Sequence, residues 1–237
     1  MMTNTAALVL VGTELIFGDT AEENRKLLGS ELQRIGVRVI GVHIVRDEID
    51  QVADLIRHLS SRVTTVITVG GLGPTVDDIT LAAVARAFGL SLVTKQADDA
   101  STYALMSGSE TTQPMLRCVP TASERIFTAN GPLVRTHNVY SLPGLPRLVT
   151  ARLGTLIQRL ESSAINRHAM CWNLPQSQIA PSLDEATRKY PTVSIGCYPS
   201  GNTHGDTIVS FEGSDSEDVK GCVSFVRDSL LAISQGS

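Results

Sequence analysis

The chain has 237 residues, 42% apolar and 19% charged, the balance of an ordinary globular protein with core enough for one large domain or a large one and a small one. With 20 basic against 24 acidic side chains the formal charge is −4, and no basic run stands out, so neither nucleic acid nor an anionic membrane is expected as a partner. The four cysteines (Cys118, Cys171, Cys197, Cys222) and five histidines have no paired or ligand-like spacing; no disulfide framework or zinc site is expected, and each thiol is expected to be free and buried.

Ala6 to Val11 is a continuous apolar run, too short to span a bilayer and without a basic flank. It reads as a buried first strand rather than a signal peptide, and a cytoplasmic location is expected. A glycine, Gly12, ends it. The next helix is predicted from about Ala21, with Thr20 as N-cap, Glu23 at capping-box spacing, Leu28, Leu32 and Ile35 on one face and Gly36 as its stop. Val37 to Val45 reads as the second strand. Glu48 to Ser61 reads as the second helix, with Ile49, Val52, Leu55, Ile56 and Leu59 turned inward. The third strand, Thr65-Val66-Ile67-Thr68-Val69, is β-branched throughout, the pattern of a strand buried on both faces of a parallel sheet. Leu81, Val84 and Phe88 then mark one face of a helix.

Ala97 to Met106 fits a further helix and Gly108 to Gln113 a polar loop. Met115 to Val134 reads as extended, with Arg117 to Pro120 and Arg125 to Thr128 as the arms of a hairpin beside the sheet. Asn138 to Gly144 is a short strand, and Pro146 suits the first turn of a helix whose stripe is Val149, Leu153, Leu156 and Leu160. Near Ser162 the pattern changes. A strand (Ala169 to Leu174), a helix (Ser177 to Tyr190), a hairpin (Val193 to Tyr198 with Thr207 to Glu212) and a last helix (Ser216 to Leu231) make a β-α-β-β-α piece. The expected division is an α/β domain with a mainly parallel sheet over residues 1–161 and a small α+β domain over 162–237.

Three strands thus end in glycine, at Gly12, Gly70 and Gly144. In an open parallel sheet ligands bind beyond the carboxyl ends of the strands, so these turns are expected to share a crevice. The richest turn is Gly70-Gly71-Leu72-Gly73-Pro74-Thr75-Val76-Asp77-Asp78. Its glycines let backbone approach a ligand, and the helix behind it offers unpaired N–H groups to an anion, so phosphate is the expected guest. Asp77 and Asp78 would repel bare phosphate, which points to a divalent cation between them and the ligand. No Lys follows the glycines, so this is not a Walker loop; Val76 stands where the third glycine of the dinucleotide fingerprint belongs. A glycine turn that merely closes a βα unit, with the two aspartates favoured by the helix dipole, would read alike.

Gly12-Thr13-Glu14-Leu15, Asn24, the run from Gly70 to Thr80 and Leu142-Pro143-Gly144-Leu145-Pro146 together resemble the molybdopterin-binding (MoaB/Mog-like) domain, in the version shared by the CinA family and the N-terminal half of animal-type FAD synthases. Ser177-Gln178-Ile179-Ala180-Pro181 and Ser194-Ile195-Gly196-Cys197-Tyr198-Pro199 are similar to the FAD synthase version in particular. The resemblance implies a three-layer α/β sandwich and a metal-dependent pyrophosphatase acting on nucleotide diphosphates such as FAD or ADP-ribose. It further implies a divalent cation (Mg, Mn or Co), a nucleotide or pterin phosphate as ligand, and a homo-oligomer.

Hydrolysis of a P–O–P linkage needs neutralised phosphoryl oxygens and an oriented water. On the resemblance, Asp77 and Asp78 are expected as metal ligands or water-orienting groups, with Asp19 a further metal ligand. Gly70, Gly71, Gly73 and Thr75 are expected to contact phosphate, and Gly12, Thr13, Glu14 and Asn24, with Gly144, to line the opposite wall. Arg125 and Arg147 are additional phosphate candidates. Two departures stand out: Asp77 occupies the place of an Arg carried by molybdenum-cofactor adenylyltransferases, and Leu148 that of a Glu in the bacterial CinA pattern. With Ser237 last there is no room for the adenylyltransferase domain that makes FAD, so FAD synthesis by this polypeptide is not expected. Two other readings stay open: a regulatory domain that binds pterin or nucleotide without turnover, and molybdopterin adenylylation, which the missing Arg weakens.

Overall fold

A computed structural model describes residues 4–18, 23–94, 118–128, 131–160, 166–200 and 206–235. The chain divides into two compact units, Met1–Ser162 and Ser163–Ser237. In the first, β1 (Thr5–Val11) is followed by a short helix α1 (Thr13–Phe17), α2 (Asn24–Arg34), β2 (Arg38–Val45), α3 (Ile49–Ser60), β3 (Thr65–Val69) and α4 (Thr80–Ala87). Then come β4 (Leu92–Thr94), β5 (Cys118–Pro120), β6 (Ser123–Ile126), β7 (Leu133–Thr136), β8 (Val139–Leu142) and α5 (Pro146–Arg159). Six strands form one sheet in the order β2-β1-β3-β8-β7-β6, parallel from β2 to β8 and antiparallel at β7 and β6.

Helices cover both faces of the central strands, which is why β3 is buried at all five positions. On one side Leu8, Leu10, Ile67 and Leu142 pack with Leu28 and Leu32 of α2 and Val149, Leu153 and Leu156 of α5. On the other, Ala7, Val9, Val66 and Val139 meet Val52 and Ile56 of α3 and Ala83 and Val84 of α4. The result is a three-layer α/β sandwich with a mainly parallel sheet.

The expected hairpin of Arg117–Pro120 with Arg125–Thr128 does not form. Instead β5 pairs with β4 in a separate ribbon, and β6 pairs with β7 at the edge of the main sheet. Their apolar residues choose different partners: Val119 is buried in a small cluster with Leu72, Leu81 and Val134, whereas Ile126 joins the main core with Leu133. Helix α2 starts at Asn24, with Glu23 as its N-cap residue and no side-chain cap bond. Thr20, Ala21 and the readings over residues 97–106 and 108–113 lie outside the described residues. All four cysteines are free, but the expectation that all are buried fails: Cys118 and Cys171 are exposed and Cys197 half-buried, the first on the short β4–β5 ribbon. Cys222 alone is buried, and burial pushes its thiol up to about 11.

The second unit runs β9 (Asn166–Trp172), α6 (Gln176–Lys189), β10 (Ser194–Pro199), β11 (Thr207–Gly213) and α7 (Ser216–Gln235). Its antiparallel sheet has the order β10-β11-β9, and Val209 and Phe211 pack with Ile179 and Ala186 of α6 and Val219, Cys222, Val226 and Leu230 of α7. Residues of β11 alternate between buried and half-buried, the mark of a sheet with one covered face. Among the described residues no helix is long and apolar enough to cross a membrane.

Candidate functional site

Strand β1 lies between β2 and β3, so the winding of the sheet reverses there, and a crevice opens beyond the carboxyl ends of β1 and β3. A cavity of about 420 Å³ occupies it, lined by Gly12 and Glu14 after β1, Gly70 to Pro74 with Asp77 and Asp78 after β3, and Pro143 to Pro146 after β8. The three glycine-ended strands converge on one hollow.

Two glycines are demanded by the backbone. Gly70 has φ 100° and Gly71 has φ 62°, conformations that L side chains rarely adopt, and a Cβ on Gly70 would fall on the Val11 carbonyl oxygen. The ends of β1 and β3 therefore touch through main chain alone. Gly144 packs in contact with this junction, since its Cβ would stand 3.4 Å from the Gly70 Cα. Thr80 ties this junction to the start of α4: its hydroxyl donates to the Gly70 carbonyl at 2.8 Å and its N–H to the Gly71 carbonyl at 3.1 Å. Asn24 ties it to α2, donating from Nδ2 to the Gly144 carbonyl at 2.7 Å.

The carboxylates divide the work unevenly. Asp78 accepts from the Gly73 N–H, from the Thr75 N–H at 2.8 Å and from the Thr75 hydroxyl at 2.6 Å. Donors expected to meet phosphate at Gly73 and Thr75 are thus turned onto Asp78, as a short acidic side chain does to its own loop, and Thr75 is not among the cavity-lining residues. A carboxylate offers about four acceptor positions, so three bonds leave Asp78 little capacity for a cation. The N–H groups of Gly71 and Leu72, which do line the cavity, meet no acceptor among the described residues. Asp77 projects on the exposed loop tip beside Val76, and the Thr75 hydroxyl and its own backbone N–H hold its carboxyl below the usual carboxylate range.

Asp47 is the site residue that sequence reasoning missed. It follows β2, lines the cavity, and its Oδ2 accepts the Thr13 N–H at 2.8 Å and the Thr13 hydroxyl at 2.9 Å. Thr13 is thereby turned toward Asp47 and is not itself a lining residue. No local pattern marks a partner 34 positions away. The available signal was an acid two residues past the second predicted strand, at the end where an open parallel sheet binds ligands.

Glu14, Asp47, Asp77 and Asp78 therefore share one cavity, and among the described residues no basic side chain lines it. Arg125 lies over the Phe127 ring at 5.7 Å and Arg147 is exposed; neither reaches the lining. Asp19 lies outside the described residues. Among the described residues no three His, Cys, Asp or Glu side chains gather closely enough to hold a metal ion by themselves. Leu10, Leu15, Val69, Leu145 and Leu148 make the rest of the lining apolar, so the substitution at Leu148 exchanges a charge for a hydrophobic wall. Arg152, 2% exposed, braces that wall by donating to the Leu148 carbonyl at 2.9 Å and the Pro132 carbonyl at 3.0 Å.

Residues 7–162 match the family described as probable molybdopterin binding domain, and residues 165–234 match the FAD synthase middle domain. A protein of Archaeoglobus fulgidus is 29% identical over 91% of this chain and 93% of its own length. A probable FAD synthase of Caenorhabditis elegans is 26% identical over 95% of this chain, which spans 50% of that protein. Among solved structures, the CinA protein of unknown function from Thermoplasma acidophilum superposes with a TM-score of 0.56 at 25% identity, covering 66% of this chain and 97% of that one. Since the first match takes in well over half of its length, this chain belongs to the molybdopterin-binding domain family.

Proposed function

We propose that the first unit is a metal-dependent pyrophosphatase for a nucleotide diphosphate of the FAD or ADP-ribose class. The observation that carries this reading is the lining of one cavity: four carboxylates, an apolar wall and, among the described residues, two unpartnered backbone N–H groups and no basic side chain. A pterin or nucleotide ring suits the apolar wall, and its phosphates suit the free N–H groups of Gly71 and Leu72. The acidic rim would repel those phosphates unless a cation came with them.

Mg²⁺ is ordinarily held by one or two carboxylates together with the substrate's own phosphates, so a protein cage of three ligands is not needed. Asp77, exposed and kept ionised, and Asp47 are the carboxylates that would hold the cation, and Mn²⁺ or Co²⁺ accept the same oxygen donors. When bound, the cation would neutralise the phosphoryl oxygens at the bond that breaks. Asp78 keeps the glycine loop closed, Asn24 and Thr80 hold its neighbours in register, and Glu14, the remaining carboxylate of the lining, would orient a water. A second reading, binding without turnover, draws on one specific observation: Asp78 is already occupied by three donors of its own loop.

The test is release of phosphate monoester from FAD and ADP-ribose in the presence of Mg²⁺, Mn²⁺ or Co²⁺, with Asp77→Ala and Asp47→Asn alongside. Cation-dependent product that falls by at least tenfold in both variants supports hydrolysis. Saturable ligand binding with no product under any metal overturns it in favour of the regulatory reading. Product formed only with ATP and molybdopterin overturns it in favour of adenylylation.

A further inference from the structure

A second cavity, of about 220 Å³, lies at the other ends of the same strands, lined among others by Thr64, Thr65, Arg135, Tyr140 and Arg159. Thr65 and Gly70 bracket the five residues of β3, which at about 3.3 Å per residue sets the two cavities roughly 16 Å apart along the strand. Hydroxyl pairing singles this place out. Buried hydroxyls elsewhere in the described residues have partners: Thr68 donates to Ser141 at 2.9 Å, Ser123 meets Thr136 at 2.7 Å, Ser182 meets Ser229 at 2.7 Å, and Thr207 and Thr80 donate to carbonyls. Tyr140, 3% exposed, and Thr65, 7% exposed, have none among the described residues, and both line this cavity. Two hydroxyls that open onto one cavity with no protein partner leave their hydrogen-bonding capacity to whatever occupies it.

Charge says which kind. Arg159 and Arg135 share a single carboxylate, Glu124, at 2.9 Å and 3.9 Å, so among the described residues one positive charge is in excess and no acidic residue lines the cavity. The Arg135 guanidinium also lies over the Tyr140 ring, 5.5 Å from its centroid. Burial raises the Tyr140 phenol above its ordinary range despite the neighbouring arginines, so the hydroxyl stays protonated as a donor.

We propose that this cavity binds a small oxyanion, a phosphate or carboxylate group, received by the Tyr140 and Thr65 hydroxyls and by the surplus charge of the Arg135–Arg159 pair. Its volume falls below the roughly 300 Å³ at which pockets for drug-sized ligands begin, so a fragment-sized anion fits and a whole nucleotide does not. The site stands apart from the acidic cavity and does not depend on the activity proposed there.

Thermal unfolding of the full chain, titrated with inorganic phosphate or with succinate at constant ionic strength against a chloride control, tests it. The expected result is a saturable rise in Tm with one of the two oxyanions beyond chloride. Which one produces it tells phosphate from carboxylate. Tyr140→Phe keeps the ring and removes only the hydroxyl, and it should weaken that response about tenfold. Arg159→Gln, at a half-exposed side chain, should weaken it at least as much, and it carries the test if Tyr140→Phe fails to fold. Asp77→Ala should leave the response unchanged. The proposal is overturned by the absence of any rise beyond chloride, by an undiminished response in Arg159→Gln, or by a response that disappears in Asp77→Ala.

Discussion

The two walls of the acidic cavity are closed by the same device at two ranges. In the loop after β3, Asp78 takes the N–H and the hydroxyl of Thr75, three residues away; in the wall after β1, Asp47 takes the N–H and the hydroxyl of Thr13, 34 residues away. Bond lengths are nearly equal, 2.8 and 2.6 Å against 2.8 and 2.9 Å. Dependence differs. The Asp78 bonds form whenever the glycine loop closes on itself, whereas the Asp47 bonds exist only if β1 and β2 pair in a register that sets Val11 against Val45. One carboxylate reports on a turn and the other on the sheet.

Breaking the junction between the walls should have the largest effect. Gly70→Ala must drive a Cβ against the Val11 carbonyl from a φ of 100°, and a loss of roughly 3–5 kcal/mol in unfolding free energy by urea titration is expected. A loss below 1 kcal/mol would mean the walls do not meet there. Asp78→Ala comes next, at about 2 kcal/mol, because three donors lose a charged acceptor. Hydrogen exchange should quicken at the Gly73 and Thr75 amides and stay slow at Thr13.

Asp47→Ala should cost about 1–2 kcal/mol and show the reverse pattern, with the Thr13 amide exposed and Thr75 protected. If either aspartate variant releases both threonine amides, the two walls form one cooperative element rather than two independent ones. Asp77→Asn, at an exposed side chain on the tip of its loop, should change stability by no more than about 0.5 kcal/mol while lowering cation affinity at least tenfold. Isothermal titration with Mn²⁺ in the presence of ADP-ribose measures the second quantity; unaltered affinity would remove Asp77 from the cation site.

Local periodicity in the sequence determined a good deal. The β-branched run from Thr65 to Val69, the stripes Leu28–Leu32 and Val149–Leu153–Leu156, and Pro146 opening its helix all report burial or backbone preference within a few residues, and each is where the pattern puts it. Glycines at 12, 70 and 144 marked the strand ends, and the parallel topology they implied brought them to one crevice. Only the tertiary structure set Asp47 against Thr13, divided Val119 and Ile126 between two clusters, and turned the Tyr140 and Thr65 hydroxyls to one cavity. Those outcomes turn on which strands lie side by side, and the energies that decide it come from contacts dozens of residues apart, to which a pattern read along the chain is blind.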